Sequence, residues 1–118
     1  MKNNNIIQKK SFDFALDIVD LYKKLIEQKE FILSKQLLRS GTSIGANVEE
    51  ALAGQSKKDF ISKMSLASKE ARETKYWLKL FQESQIVNRN FTNYIKNADE
   101  IISILTAIVK TSQTSVSK

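Results

Sequence analysis

Residues 57–84, KKDFISKMSLASKEARETKYWLKLFQES, carry the pattern on which the fold turns. Phe60, Met64, Ala67, Ala71, Thr74, Leu78 and Phe81 recur at alternating steps of four and three. Such a repeat lays one apolar seam along a helix and suits knobs-into-holes packing in a bundle. At ~1.5 Å rise per residue the predicted helix is about 40 Å long. Ser56, followed three residues later by Asp59, reads as its N-cap, a capping box with Asp in the Glu position.

Working outward, the segment before it predicts a helix over about 33–54, with Leu33, Leu37, Ser40, Ile44, Val48 and Ala51 facing inward. Gly41 and Gly45 lie one turn apart on nearly the same side, each costing roughly 1 kcal/mol relative to alanine. Close approach of a neighbouring helix explains them, with a local kink as the alternative. Gly54 is expected to end this helix as its C-cap.

Towards the N-terminus a helix is predicted over about 11–28, its inner face formed by Phe12, Ala15, Ile18, Val19, Tyr22, Leu25 and Ile26. Asp13, Asp17, Asp20 and Glu27 give its opposite side an acidic character. Beyond residue 84 a last helix is predicted over about 91–111, with a broad stripe from Phe91 to Val109, Asn90 as N-cap and a frayed tail after it. Connections near 29–32, 55–56 and 85–90 are short, which makes sequential helices antiparallel. The expectation is an all-α, up-and-down antiparallel four-helix bundle forming one domain over residues 1–118.

Composition agrees. The 118 residues contain no proline, three glycines, no cysteine and no histidine. Without proline, long uninterrupted helices are favoured. Without cysteine and histidine, disulfides, the usual zinc sites, a thiol nucleophile and an imidazole base are all excluded. Glu49, Glu50, Glu70 and Glu73 on the central helices invite comparison with di-iron bundles, but those centres also need Glu-x-x-His pairs. No metal or other cofactor is expected, and no catalytic residues are assigned. The chain is read as a non-enzyme. The N-terminal segment lacks a signal-peptide apolar run and no stretch suits a membrane span, so a cytoplasmic protein without membrane contact is expected.

Charge supplies the functional lead. Nineteen Lys and Arg against thirteen Asp and Glu leave a net charge of +6, which attracts polyanions. Lys57, Lys58, Lys69, Arg72, Lys75 and Lys79 project within roughly a third of the circumference of the third helix, away from its seam. A solvated lysine face is the commonest meaning of such a stripe. Two functional readings compete with it. The cations neutralise phosphates of RNA or DNA, with Tyr76 offering a ring to a base or sugar. Alternatively Ile61, Tyr76, Trp77 and Leu80 form a subunit interface. An acidic first helix and a basic third would then favour head-to-tail rings over two-fold dimers. Arg39, Asn47, Glu70 and Glu73 are candidates for a polar network between the central helices, one that fixes register more than it stabilises.

The strings LLRSGTSIGANVEEA (Leu37 to Ala51), SKKDFISK (Ser56 to Lys63) and KEARETKYWL (Lys69 to Leu78) occur in order with compatible spacing. Together they resemble the four-helix-bundle family typified by the 23S ribosomal RNA intervening-sequence protein. The resemblance implies bacterial up-and-down bundles that assemble as homopentameric rings. It also implies kinship with the accessory variability protein of diversity-generating retroelements, a basic pentameric barrel that engages nucleic acid and a reverse transcriptase. It brings no catalytic residue. The expected function is a homo-oligomeric bundle binding RNA or DNA without strong sequence preference; the alternative is a scaffold ring that docks a partner protein and has no nucleic-acid affinity.

Overall fold

A computed structural model describes residues 2–117, with side chains described from residue 4 to residue 114. It contains α1 (Lys2–Glu27), α2 (Leu33–Leu52), α3 (Lys57–Ser84) and α4 (Thr92–Ser117). Chain-neighbouring helices pack against each other, and α4 closes back on α1, where contact is thinnest. This leaves α1 and α3 on one diagonal of the bundle and α2 and α4 on the other. Cross-helix pairs run in opposite directions: Ser11 meets Gly45 while Ile18 meets Gly41. The architecture is the expected all-α, up-and-down antiparallel four-helix bundle.

The seam of α3 is buried at Met64, Ala67, Ala71, Thr74, Leu78 and Phe81, with Phe60 half-buried at its start. Thr74 keeps its place there because its hydroxyl donates to the Glu70 carbonyl at 2.8 Å and meets the Ser40 hydroxyl at 2.9 Å. A buried hydroxyl with partners avoids the penalty of an unsatisfied polar group. At the start of the helix, Ser56 accepts from the Asp59 backbone N–H at 3.1 Å, as an N-cap should.

The glycines of α2 face α1. A β-carbon built on Gly41 would lie 2.8 Å from Cγ2 of Ile18, and one on Gly45 would lie 3.4 Å from the Ser11 carbonyl oxygen. Close approach of α1 therefore accounts for both positions. At its N-terminus α2 is capped by a residue the sequence reading did not mark. The Glu30 carboxylate, only 8% exposed, accepts from the backbone N–H groups of Ile32, Leu33 and Ser34 at 3.2, 2.9 and 2.7 Å. Four N–H groups at a helix start lack intrahelical partners, and a carboxylate there also meets the positive end of the helix dipole.

Several sequence-based expectations need correction. Helix α1 begins at Lys2, not near Ser11, and is rotated from the expected face. Ile7, Phe14, Ile18, Leu21 and Leu25 form its buried stripe, whereas Phe12 is 61% exposed. Helix α2 ends at Leu52, capped by Ala53 in a right-handed conformation, and Gly54 has no positive φ. The left-handed caps fall instead on Lys29 (φ 65°) and Gln85 (φ 56°). After α1, the Glu30 N–H reaches the Leu25 carbonyl and the Lys29 N–H the Ile26 carbonyl, which is a Schellman turn. Helix α4 does not fray at residue 111 but continues to Ser117. At its start the Asn90 side chain accepts from the Thr92 N–H at 2.8 Å, with Phe91 between them as the residue flanking the helix.

Candidate nucleic-acid interface

Since the seam of α3 faces inward, the opposite side of that helix is the outer wall of the bundle. Lys58, Lys69, Arg72, Tyr76 and Lys79 are exposed on it. From Lys58 to Lys79 the row extends about 32 Å at ~1.5 Å per residue. Lys58, Lys69 and Lys79 make no ion pair or hydrogen bond among the described residues. Arg72 leans towards α4, donating from Nη2 to the Thr106 hydroxyl at 3.2 Å.

The six cations singled out in the sequence are not equivalent. Lys75 turns to α4 and pairs with Asp99 at 2.7 Å, so it is partly neutralised. Lys57 is exposed at the first residue of α3, at the extreme end of the row. Glu83 is exposed one turn beyond Lys79 and bounds the positive row at its other end.

On the flank facing α2, Arg39 gathers two carboxylates. Its Nη1 donates to the two Glu70 oxygens at 3.4 and 3.3 Å, and its Nη2 to Glu73 Oε2. The indole Nε1 of Trp77 donates to the same Glu73 oxygen at 3.3 Å. Asn47 is not part of this group; its side chain donates to the Ser43 carbonyl of its own helix at 2.9 Å. By drawing Glu70 and Glu73 towards α2, Arg39 holds two negative charges away from the lysine row. Sequence reasoning missed that Trp77 joins this network, although Glu73 and Trp77 are four apart and so share a helix face.

Of the four residues proposed for a subunit contact, Trp77 packs half-buried against the core and Ile61 and Leu80 are half-buried. Tyr76 is 58% exposed, and its ring meets that of Trp77 edge-on at 5.2 Å between centroids and 72° between planes. Leu66 is also exposed on α3, and other exposed apolar side chains are Ile6, Phe12 and Leu16 on α1, and Phe31, Ile32 and Ile86 on the two connections at one end of the bundle. Those connections are linked by Arg89 Nε donating to the Gln28 side-chain oxygen at 3.3 Å.

The expected acidity of α1 does not survive the longer helix. Among its described side chains Lys9, Lys10, Lys23 and Lys24 balance Asp13, Asp17, Asp20 and Glu27. Asp13 pairs with Lys9 at 2.7 Å and Asp20 with Lys24 at 2.9 Å, the latter contact holding the Asp20 carboxyl below its ordinary range. The glutamates once compared with a di-iron centre are engaged separately. Glu49 accepts from Gln8 at 2.9 Å, and Glu50 faces Lys63 at 3.7 Å. Among the described residues no group of three or more candidate ligands is placed to hold a metal ion. Nor is any helix there long and apolar enough to cross a membrane.

Fold and surface together define a four-helix bundle with one cationic outer helix. The chain belongs to the 23S rRNA-intervening sequence protein family, which it matches over residues 3–107. A crystal structure from Bacteroides thetaiotaomicron, of a protein with unknown function from the S23 ribosomal protein family, is similar to it at 48% identity and a TM-score of 0.87. The match spans 92% of this chain and 98% of that one. No curated protein matches the chain. Neither the family's description nor the neighbour's names a reaction.

Proposed function

We propose that this protein is a non-catalytic, self-associating bundle that binds RNA or DNA through the outer face of α3, without strong sequence preference. The observation that carries the reading is the row of three lysines, unpaired among the described residues, with Arg72 on one side of a single helix. Phosphate contacts of this kind position a nucleic acid without reading its bases. The overall charge of +6 works in the same direction. The family description refers to a ribosomal RNA and that of the neighbour to a ribosomal protein family, which is consistent with a polyanionic ligand. Five subunits is the number that the family resemblance implies for the assembly.

The test is the salt dependence of oligonucleotide binding by the full chain and by the variant Lys58→Ala/Lys69→Ala/Lys79→Ala. Losing three phosphate contacts should flatten the slope of log K against log salt by about two for a single strand. An unchanged slope places the binding face elsewhere.

A scaffold that docks a protein is the second reading, favoured by exposed Phe31, Ile32 and Ile86 at one end of the bundle. It predicts no oligonucleotide affinity at near-physiological salt and the capture of one specific protein that Ile32→Asp releases.

A further inference from the structure

Tyr76 stands in the middle of the lysine row, one turn from Arg72 and Lys79 and two turns from Lys69, which places all four on one side of α3. A large ring left 58% exposed forgoes burial energy, and its hydroxyl makes no hydrogen bond among the described residues. Packing into the core does not explain it.

Its orientation is nevertheless held. The edge-on contact with Trp77 fixes one side of the ring, and Trp77 is anchored through Glu73 to Arg39 on α2. A ring fixed in this way gives up little conformational freedom when a ligand covers it. Base–aromatic stacking tolerates any sequence because every base has a π-face. Bases in a duplex are already stacked on one another and show only their edges in the grooves, beyond the reach of one tyrosine on a straight helix.

We infer that Tyr76 is a stacking platform for an unpaired base, so that the ligand class of the α3 face is single-stranded rather than duplex nucleic acid. This rests on the nucleic-acid reading above and narrows it. The lysines and Arg72 hold the backbone, and the tyrosine supplies the preference for an unpaired strand.

Trp77 is the sole tryptophan of the chain and touches Tyr76, so its fluorescence reports directly on the site. The full chain is titrated with a 12-nucleotide oligo(dT) and, separately, with a 12-base-pair duplex. Binding is followed by anisotropy of the labelled oligonucleotide and by Trp77 emission, with oligomer size checked by light scattering. The single strand should bind at least tenfold more tightly than the duplex and should change Trp77 emission. Tyr76→Ala should lose about 5- to 150-fold on the single strand and little on the duplex, while Tyr76→Phe keeps the preference. Equal loss on both ligands, no loss on either, or a smaller oligomer in Tyr76→Ala overturns the inference. If the triple lysine variant loses binding while Tyr76→Ala does not, the stacking role fails and the wider reading stands. A wild-type chain that binds neither oligonucleotide ends both.

Discussion

Gly41 and Gly45 sit one turn apart on α2, but an added methyl group meets different surroundings at each. At Gly41 it lies within 2.8 to 3.2 Å of three side-chain atoms of Ile18, a buried residue whose β-branch leaves it little room to rotate. Overpacking of this kind costs about 1–3 kcal/mol, against about 1 kcal/mol gained from alanine's helix propensity. At Gly45 the nearest atom is the Ser11 carbonyl oxygen at 3.4 Å, an ordinary contact distance. Gly41→Ala should therefore destabilise the protein by about 1 kcal/mol, and Gly45→Ala should stabilise it by up to about 1 kcal/mol. Urea denaturation of the two variants decides the matter. Stabilisation by Gly41→Ala would mean that the spacing of α1 and α2 is not set at Gly41, and destabilisation by Gly45→Ala that α1 also packs tightly there. The sequence pointed to a close helix approach at both positions, but the two could not be told apart without knowing which residue of α1 faces each.

Among the elements, α3 was the most legible because one heptad seam admits one orientation. Helix α1 was not, because it carries two apolar stripes. Phe12, Leu16 and Val19 run along one side and Ile7, Phe14, Ile18, Leu21 and Leu25 along another, so local spacing supports either face. Tertiary packing against Gly41 selects the second. The Glu30 cap was also illegible, since the N-cap position itself is Ile32 and the capping carboxylate comes from two residues ahead of it. Its role depends on the Schellman turn at Lys29, which swings the side chain back over the start of α2. Burial alone would push the Glu30 carboxyl up, but the N–H groups of Leu33, Ser34 and Ile32 outweigh it and hold it below the ordinary value of 4.5. A carboxyl lowered in the folded state stabilises fully above that unfolded value and loses its contribution as pH falls through the folded one. Glu30→Gln keeps one acceptor oxygen and removes the charge, so at neutral pH it should cost about 1 kcal/mol. The gap between wild type and variant should narrow as pH drops below 4.5, because the native carboxylate is itself neutralised there. A gap that stays constant with pH would assign the stabilisation to hydrogen bonding without charge.

The whole molecule is a rod of 50 × 22 × 21 Å with a radius of gyration of 15.0 Å, where a compact chain of this length has about 13.5 Å. Its accessible surface of 7196 Å² exceeds the roughly 6,500 Å² expected for a compact monomer of its mass. A rod two helices thick leaves every helix with an outer side, and on α1 that side carries Phe12 and Leu16, one turn apart and 61% and 55% exposed. Phe12 also borders a cleft of about 270 Å³ shared with Ala15, Thr42, Gly45 and Ala46, small residues that leave room for a large side chain. Covering the two exposed side chains would contribute about 1 kcal/mol each. Two ion pairs, Lys9–Asp13 and Lys24–Asp20, lie within α1, so the proposed association through Phe12 and Leu16 would be apolar, whereas the proposed capture of nucleic acid by α3 would be electrostatic. The two therefore separate by salt. Oligomer size measured by light scattering should hold between 0.1 and 0.5 M salt, a range over which oligonucleotide affinity falls steeply. Phe12→Ser/Leu16→Ser should give a monomer whose helical signal and urea midpoint stay close to those of the parent, since neither residue is part of the buried core. Phe14→Ala, two residues away on the buried stripe, should instead cost about 3–5 kcal/mol. An oligomer that survives the Phe12/Leu16 change would move the subunit contact off this face, and one that dissociates in salt would move it to a charged face and return α3 to the candidates for it.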